Sequence, residues 1–135
     1  MTGPWPIGPE VPVSPRHWYA ATKVFLEAAG RAFADSHLVP CVLAVRLGWC
    51  PRTPEQVQEI AATDWAQDVY LSPADAGWFF ACAVEAAVDR PFAIVYATSQ
   101  PAKMERLALE PARKLLGYKP HDLWPEGTEV VVGKK

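Results

Sequence analysis

The sequence predicts an α/β fold, and three observations carry that reading. Two runs rich in β-branched and aromatic residues, Pro40 to Trp49 and Pro91 to Thr98, have the composition of strands. The first contains Cys41-Val42-Leu43-Ala44-Val45, nearly continuous in apolar residues, the pattern of a parallel strand buried on both faces rather than an alternating one. Helical stretches with recognisable start or stop signals flank and separate the two runs. A chain of 135 residues, half of them apolar and 11% aromatic, is one domain by size and can bury a core.

Residues 1–13 are expected to run as an extended loop, because five prolines between positions 4 and 15 remove backbone donors and leave no periodicity. A helix follows from Ser14 or Pro15 to Asp35, proline being acceptable in a first turn. Its Trp18, Ala21, Phe25, Ala28, Ala29, Ala32 and Phe33 form an apolar stripe wide enough to pack on a sheet or on another helix. Simple core is the plainer reading of that stripe, and an interface is the alternative. Gly30 weakens the helix by about 1 kcal/mol relative to Ala, which a close contact would explain.

After the first strand, Gly48, Pro51 and Pro54 end the run. Thr53 caps a short helix to Ala62, with Pro54 at its first position and Gln56 at its third. A loop carrying Trp65 and Tyr70 leads to Ser72-Pro73-Ala74-Asp75, a strong helix start, and that helix is expected to reach Val88 while burying Trp78, Phe79, Cys82, Ala83 and Ala86. Ser72 and Asp75 therefore have a complete capping explanation, with a place in a site as the alternative. Beyond the second strand, 99–103 is loop, and a last helix from Leu109 to Leu116 is closed by Gly117. Residues 126–135 are expected to form a flexible tail.

The net charge of −2 and a pI near 5.9 leave no basic footprint, which argues against nucleic acid or an anionic membrane as partner. Cys41, Cys50 and Cys82 are an odd number without metal-ligand spacing, so no metal site is expected; Cys41 and Cys82 sit in apolar runs as reduced core residues. No secretory signal is visible, and the longest apolar stretch, Leu38 to Trp49, is too short for a membrane span. A cytoplasmic location is expected.

Tyr19 and Lys23 are four residues apart on the first helix, so their side chains share a face one turn apart. An ammonium beside a phenol favours the phenolate and moves the tyrosine toward the range of a general acid or base. The spacing alone is common by chance; its context strengthens it. In open α/β sheets ligands bind at the carboxyl ends of the strands, which places Gly48, Trp49 and Cys50 where a ligand could lie, an ordinary strand exit being the alternative. Lys103 and Arg106 are candidates for an anionic part of a substrate, with plain surface charge as the alternative.

Tyr19-Ala20-Ala21-Thr22-Lys23, with Pro15 before it and Phe25 and Glu27 after, resembles the Tyr-x-x-x-Lys helix of the extended short-chain dehydrogenases/reductases, the NAD-dependent epimerase/dehydratase family. Leu43 to Trp49, Tyr70 to Asp75 and Leu109 to Pro120 agree with that family in order and spacing, and the tone is most like its uronate-dehydrogenase-like members. The helix from Leu109 departs from the pattern at its start, having Ala108 where the family usually has a capping Asp.

The resemblance implies the C-terminal portion of a Rossmann-like doubly wound parallel sheet, a single partial domain over 1–135 that lacks the N-terminal nucleotide-binding half. It implies oxidation of a sugar-like hydroxyl, or the reverse, with Tyr19 moving the proton and Lys23 contacting the nicotinamide ribose of NAD or NADP, bordered by Gly48, Trp49 and Cys50. It also makes the Tyr19 helix the surface for a homodimer or a complementing chain. Only eighteen residues precede Tyr19, and none of the eight glycines forms a Gly-rich phosphate loop, so NAD binding by the chain alone is not expected. Ser14 is too close to Tyr19 to serve as the family's upstream Ser/Thr. The expectation is thus an oxidoreductase half that is inactive alone, a non-catalytic module pairing with an intact relative, or a remnant.

Overall fold

The computed structural model describes residues 5–133. Those parts of the expected loop and tail that fall on residues 1–4 and 134–135 lie outside the described residues. Eight elements follow in order: α1 (Trp18–Asp35), β1 (Val42–Leu47), α2 (Pro54–Ala61), α3 (Asp64–Asp68), α4 (Pro73–Glu85), β2 (Phe92–Ala97), α5 (Glu110–Leu116) and α6 (Glu129–Val132). Among the described residues β1 and β2 form a two-stranded parallel sheet, in register from Val42 opposite Phe92 to Leu47 opposite Ala97.

The alternation of a strand sorts its side chains into two layers. Phe79 and Cys82 of α4 and Ala112 and Leu116 of α5 bury one face with Val95 and Ala97, and Leu43 and Val45 pack against that cluster. On the other face, Val42 lies under Gly30 of α1, and Arg46 reaches up to Glu27. A Cβ at Gly30 would sit 3.4 Å from the Val42 side chain, the close helix contact that its sequence position suggested. Helices thus cover both faces of a parallel pair, the doubly wound arrangement expected.

Caps explain most boundaries. Thr53 accepts from the Gln56 amide and Ser72 from the Asp75 amide, as their spacing predicts. Gly117 closes α5 at φ +69°, a left-handed conformation that suits glycine. The acceptor that Ala108 cannot supply near the start of α5 comes from Glu105, whose carboxylate takes the Leu109 amide at 3.0 Å.

Several expectations need correction. Helix α1 starts at Trp18, not at Ser14 or Pro15, because the His17 ring accepts the Ala20 amide at 3.2 Å and caps it there. The apolar stripe of α1 does not pack on the sheet: Trp18 is 89% and Phe25 73% exposed, and Phe33 is exposed as well. The helix instead turns Val24, Glu27, Gly30 and Ala34 inward, since the small Gly30 and the Glu27–Arg46 pair allow the closer approach. Helix α4 stops at Glu85 rather than Val88, and its Trp78 remains partly exposed, stacked on His121 and donating to the Lys119 carbonyl at 3.2 Å. The stretch read as a loop around Trp65 carries α3, and the stretch read as a tail returns to the body, where the Glu126 carbonyl accepts from Tyr70 Oη at 2.7 Å before α6 forms.

Among the described residues, no helix is long and apolar enough to cross a membrane.

Candidate functional site

Tyr19, Lys23 and Glu27 recur every four residues along α1 and share one face. Lys23 Nζ lies 5.0 Å from the centre of the Tyr19 ring, over its face, and the His17 ring stacks with Tyr19 at a centroid separation of 6.5 Å. Both functional groups are open to solvent, Tyr19 being 68% exposed. Glu27 holds the helix down. Arg46 donates Nε and Nη2 to its two carboxylate oxygens at 2.7 and 3.0 Å, and Nη1 to Tyr96 Oη at 2.9 Å. The Glu27 hydrogen bond raises the Arg46 guanidinium pKa further, against the opposing effect of burial, so Arg46 stays charged. Sequence reasoning passed over Arg46 as a site residue, although a lone charge inside an apolar strand run was its visible signal.

Tyr19 and Lys23 line a groove of about 570 Å³ between α1 and the length of β1. At the carboxyl end of β1 lies a cleft of about 710 Å³ lined by Trp5, Gly48, Trp49, Trp65 and Arg106; Leu47 borders both spaces. The structure therefore places Tyr19 and Lys23 in one space and Gly48, Trp49 and Arg106 in its neighbour, with Leu47 common to the two. Gly48 is required there by close packing, since a Cβ would stand 2.3 Å from the Val69 carbonyl oxygen.

The other candidates part from this group. Cys50 does not line the cleft, and burial pushes its thiol up, against a smaller opposing effect of Arg52, which leaves it a poor nucleophile. Lys103 Nζ pairs with Asp64 at 2.8 Å on the surface. Arg106 donates Nε to Asp68 at 2.8 Å, with its guanidinium 5.2 Å from the Trp5 ring. Asp68 is 2% exposed and also accepts the amides of Lys103 and Met104 at 2.7 and 3.1 Å. Burial alone would raise its carboxyl, but those amides and the Arg106 side chain outweigh it and hold it below the usual carboxylate range. Asp68 was invisible as a site residue because its partners lie some 35 residues away in the chain.

Asp75 does more than fill a first turn. Buried, it accepts Ser99 Oγ at 2.6 Å and the amides of His121 and Asp122 at 2.8 and 3.0 Å, while Ser72 Oγ donates to Asp122. The two residues stitch α4 to the end of β2 and to the chain beyond α5, away from the depression.

No protein-family model matches the chain. It is 31% identical over 122 residues to the L-arabinose 1-dehydrogenase (NAD(P)(+)) of Haloferax volcanii, a match covering 86% of this chain and 46% of that one. It is 32% identical over 117 residues to the NAD-dependent glucose-6-phosphate dehydrogenase of the same organism, over 85% of this chain and 40% of the other. The chain is similar to NAD(P)-dependent sugar dehydrogenases. It spans about half the length of the curated relatives it matches. Its fold follows the C-terminal part of the glucuronic acid dehydrogenase from Chromohalobacter salexigens, with a TM-score of 0.70 and 23% identity over 96% of this chain and 46% of that one. The α/β architecture with parallel strands is therefore shared with that dehydrogenase.

Proposed function

We propose that the chain is the catalytic-helix half of an NAD(P)-dependent oxidoreductase of the extended short-chain dehydrogenase/reductase type, acting on a hydroxyl or carbonyl of a sugar-like substrate. The observation that carries this reading is that the Tyr19–Lys23 groove along β1 and the aromatic cleft at the carboxyl end of β1 are neighbours that share Leu47 as a border. Stacking on Trp49 or Trp65 suits the apolar face of a sugar ring, while Arg106, already paired with Asp68, offers its remaining N–H groups as hydrogen-bond donors.

The described residues fit the nicotinamide-ribose end of a dinucleotide: the Lys23 ammonium and the Tyr19 hydroxyl stand at the groove rim, where ribose hydroxyls and a substrate hydroxyl could both be reached. The pyrophosphate end has no counterpart in the glycines of the sequence. When bound, nicotinamide supplies the hydride acceptor. The chain's own part is proton handling and positioning. Tyr19 Oη would act as the base for the substrate hydroxyl proton and Lys23 would hold the nicotinamide ribose, while the Glu27–Arg46 pair keeps the helix seated on the sheet.

The test is NAD(P) reduction with aldoses and uronates, measured on the chain together with a nucleotide-binding half. Tyr19→Phe should lower kcat by about 10²–10⁴-fold, the range for losing a positioned acid–base. Unchanged turnover in that variant would refute the assignment. The exposed Trp18, Phe25 and Phe33 favour a second reading, a non-catalytic module that pairs with an intact relative through α1. Under that reading the partner binds equally well to wild type and to Tyr19→Phe, and no turnover depends on this chain.

A further inference from the structure

We propose that His17 is a positioning residue for Tyr19: it caps α1 through its neutral imidazole, so that the first turn of the helix is ordered above the titration of that ring and released below it. This deepens the oxidoreductase reading above and rests on the role given there to Tyr19.

The cap differs in kind from the others. Thr53 and Ser72 cap α2 and α4 with hydroxyls, and each of those helices adds a carboxylate in its first turn, Glu55 and Asp75. Helix α1 has no acidic residue in its first turn, and its cap is the Nδ1 atom of His17, which accepts the Ala20 amide at 3.2 Å. A histidine nitrogen accepts only while it carries no proton, so this bond requires the neutral ring with its hydrogen on Nε2. Protonation at Nδ1 turns the acceptor into a donor that faces another donor. It also sets a positive charge at the positive end of the helix dipole.

Little else holds the turn. Residues 10–19 are all exposed, so no buried side chain pins the entry to α1. Because His17 is exposed too, the charged and titratable groups around it belong to the turn and to the chain leading in. They are the Tyr19 phenol, whose ring stacks with the imidazole, the Lys23 ammonium over that phenol ring, and Arg16 next in the chain. None of them is a carboxylate. Glu27, the first carboxylate along α1, is already bound to Arg46.

Tyr19 is the second residue of the helix and stands inside the turn that the cap closes, whereas Lys23 lies one turn further in. Losing the cap frees residues 18–20 to leave helical geometry and parts Tyr19 from Lys23. The sign follows from the bond: the cap is present once the ring has lost its proton and is lost as pH falls through the titration of the ring. Rising pH favours both the neutral imidazole and a tyrosine able to take a proton, so the turn is ordered where Tyr19 is to act as a base.

The experiment is solution NMR of the 135-residue chain across the titration of His17, in wild type, His17→Asn and His17→Ala. An asparagine oxygen accepts the same amide without titrating, and alanine cannot accept it at all. In wild type, exchange of the Ala20 amide, corrected for its intrinsic pH dependence, should speed up by about 3- to 30-fold as the ring takes up its proton, the span that a helix cap is worth. Contacts between the Tyr19 ring and the Lys23 side chain should weaken over the same interval. His17→Asn should keep both features at every pH, and His17→Ala should lack both at every pH. A wild-type Ala20 amide indifferent to the titration overturns the proposal, as does an acid loss in His17→Asn equal to that in wild type, which would assign the change to another group. Turnover together with a nucleotide-binding half separates this proposal from the reading it rests on. An acid limb in kcat that is present in wild type and absent in His17→Asn supports both. The expected exchange pattern without turnover in any variant keeps the cap and removes the oxidoreductase reading; turnover with the same pH profile in wild type and His17→Asn keeps that reading and overturns the positioning role of His17.

Discussion

On the β2 side of the sheet the chain closes on itself. Phe79, Val95 and Tyr118 are fully buried, and Asp75, Ser72, Ser99 and Thr98 are buried with them. Among the described residues, every buried side-chain nitrogen and oxygen has a hydrogen-bond partner. The β1 side is built differently. Helix α1 contributes one buried residue, Ala34, while its aromatic residues face solvent and the strand beneath it keeps a bare edge. Both sides draw on similar residue types, so composition does not set them apart. What differs is the number of layers present: the β2 side has helix, sheet and returning C-terminal chain, whereas the β1 side has helix α1 alone over the strand. The residues proposed for chemistry, Tyr19 and Lys23, stand at the boundary of the unfinished side.

The sharpest way to break this contrast is to open the closed side. Asp75→Ala strands Ser99 Oγ and two backbone amides in a buried place and should cost about 3–5 kcal/mol, read as a large drop in denaturation midpoint. A change below 1 kcal/mol would mean that this side is not the stable body of the molecule. At the boundary, Arg46→Met leaves Glu27 half-buried and unpaired and should cost about 1–3 kcal/mol. Adding Glu27→Leu should restore most of that loss, because an apolar pair of similar size replaces a buried ion pair nearly neutrally. Additive losses in the double variant would show that the two side chains do not act as a unit. The smallest effect is expected on the open side: Phe25→Ser should shift the stability of the isolated chain by no more than about 0.5 kcal/mol. A larger loss that depends on protein concentration would reveal that α1 is covered by another molecule in solution.

Much of the fold could be read along the chain because the signals are local. Thr53, Ser72 and Gly117 announce helix ends through their own hydrogen-bonding or conformational freedom, and the runs 41–47 and 92–97 announce buried strands through β-branched apolar residues. Two local errors have equally local causes. Pro15 looked like a first-turn proline, yet His17 supplied the cap; Trp65 looked like a loop residue because α3 is only five residues long, too short to show periodicity.

The sequence by itself determined the order of the two strands and the longer helices, the placing of Tyr19 and Lys23 on one helix face, and the likeness to a dehydrogenase half. Tertiary structure alone decided which face of α1 turns to the sheet, that Arg46 clamps Glu27, that Asp68 claims Arg106, and that the tail returns to Tyr70. The physical reason is the same in each case. A cap or a strand run is a contest among neighbours within a few residues, whereas the orientation of a helix and the pairing of a buried charge depend on groups 19 to 56 positions away that the chain brings near only when it packs.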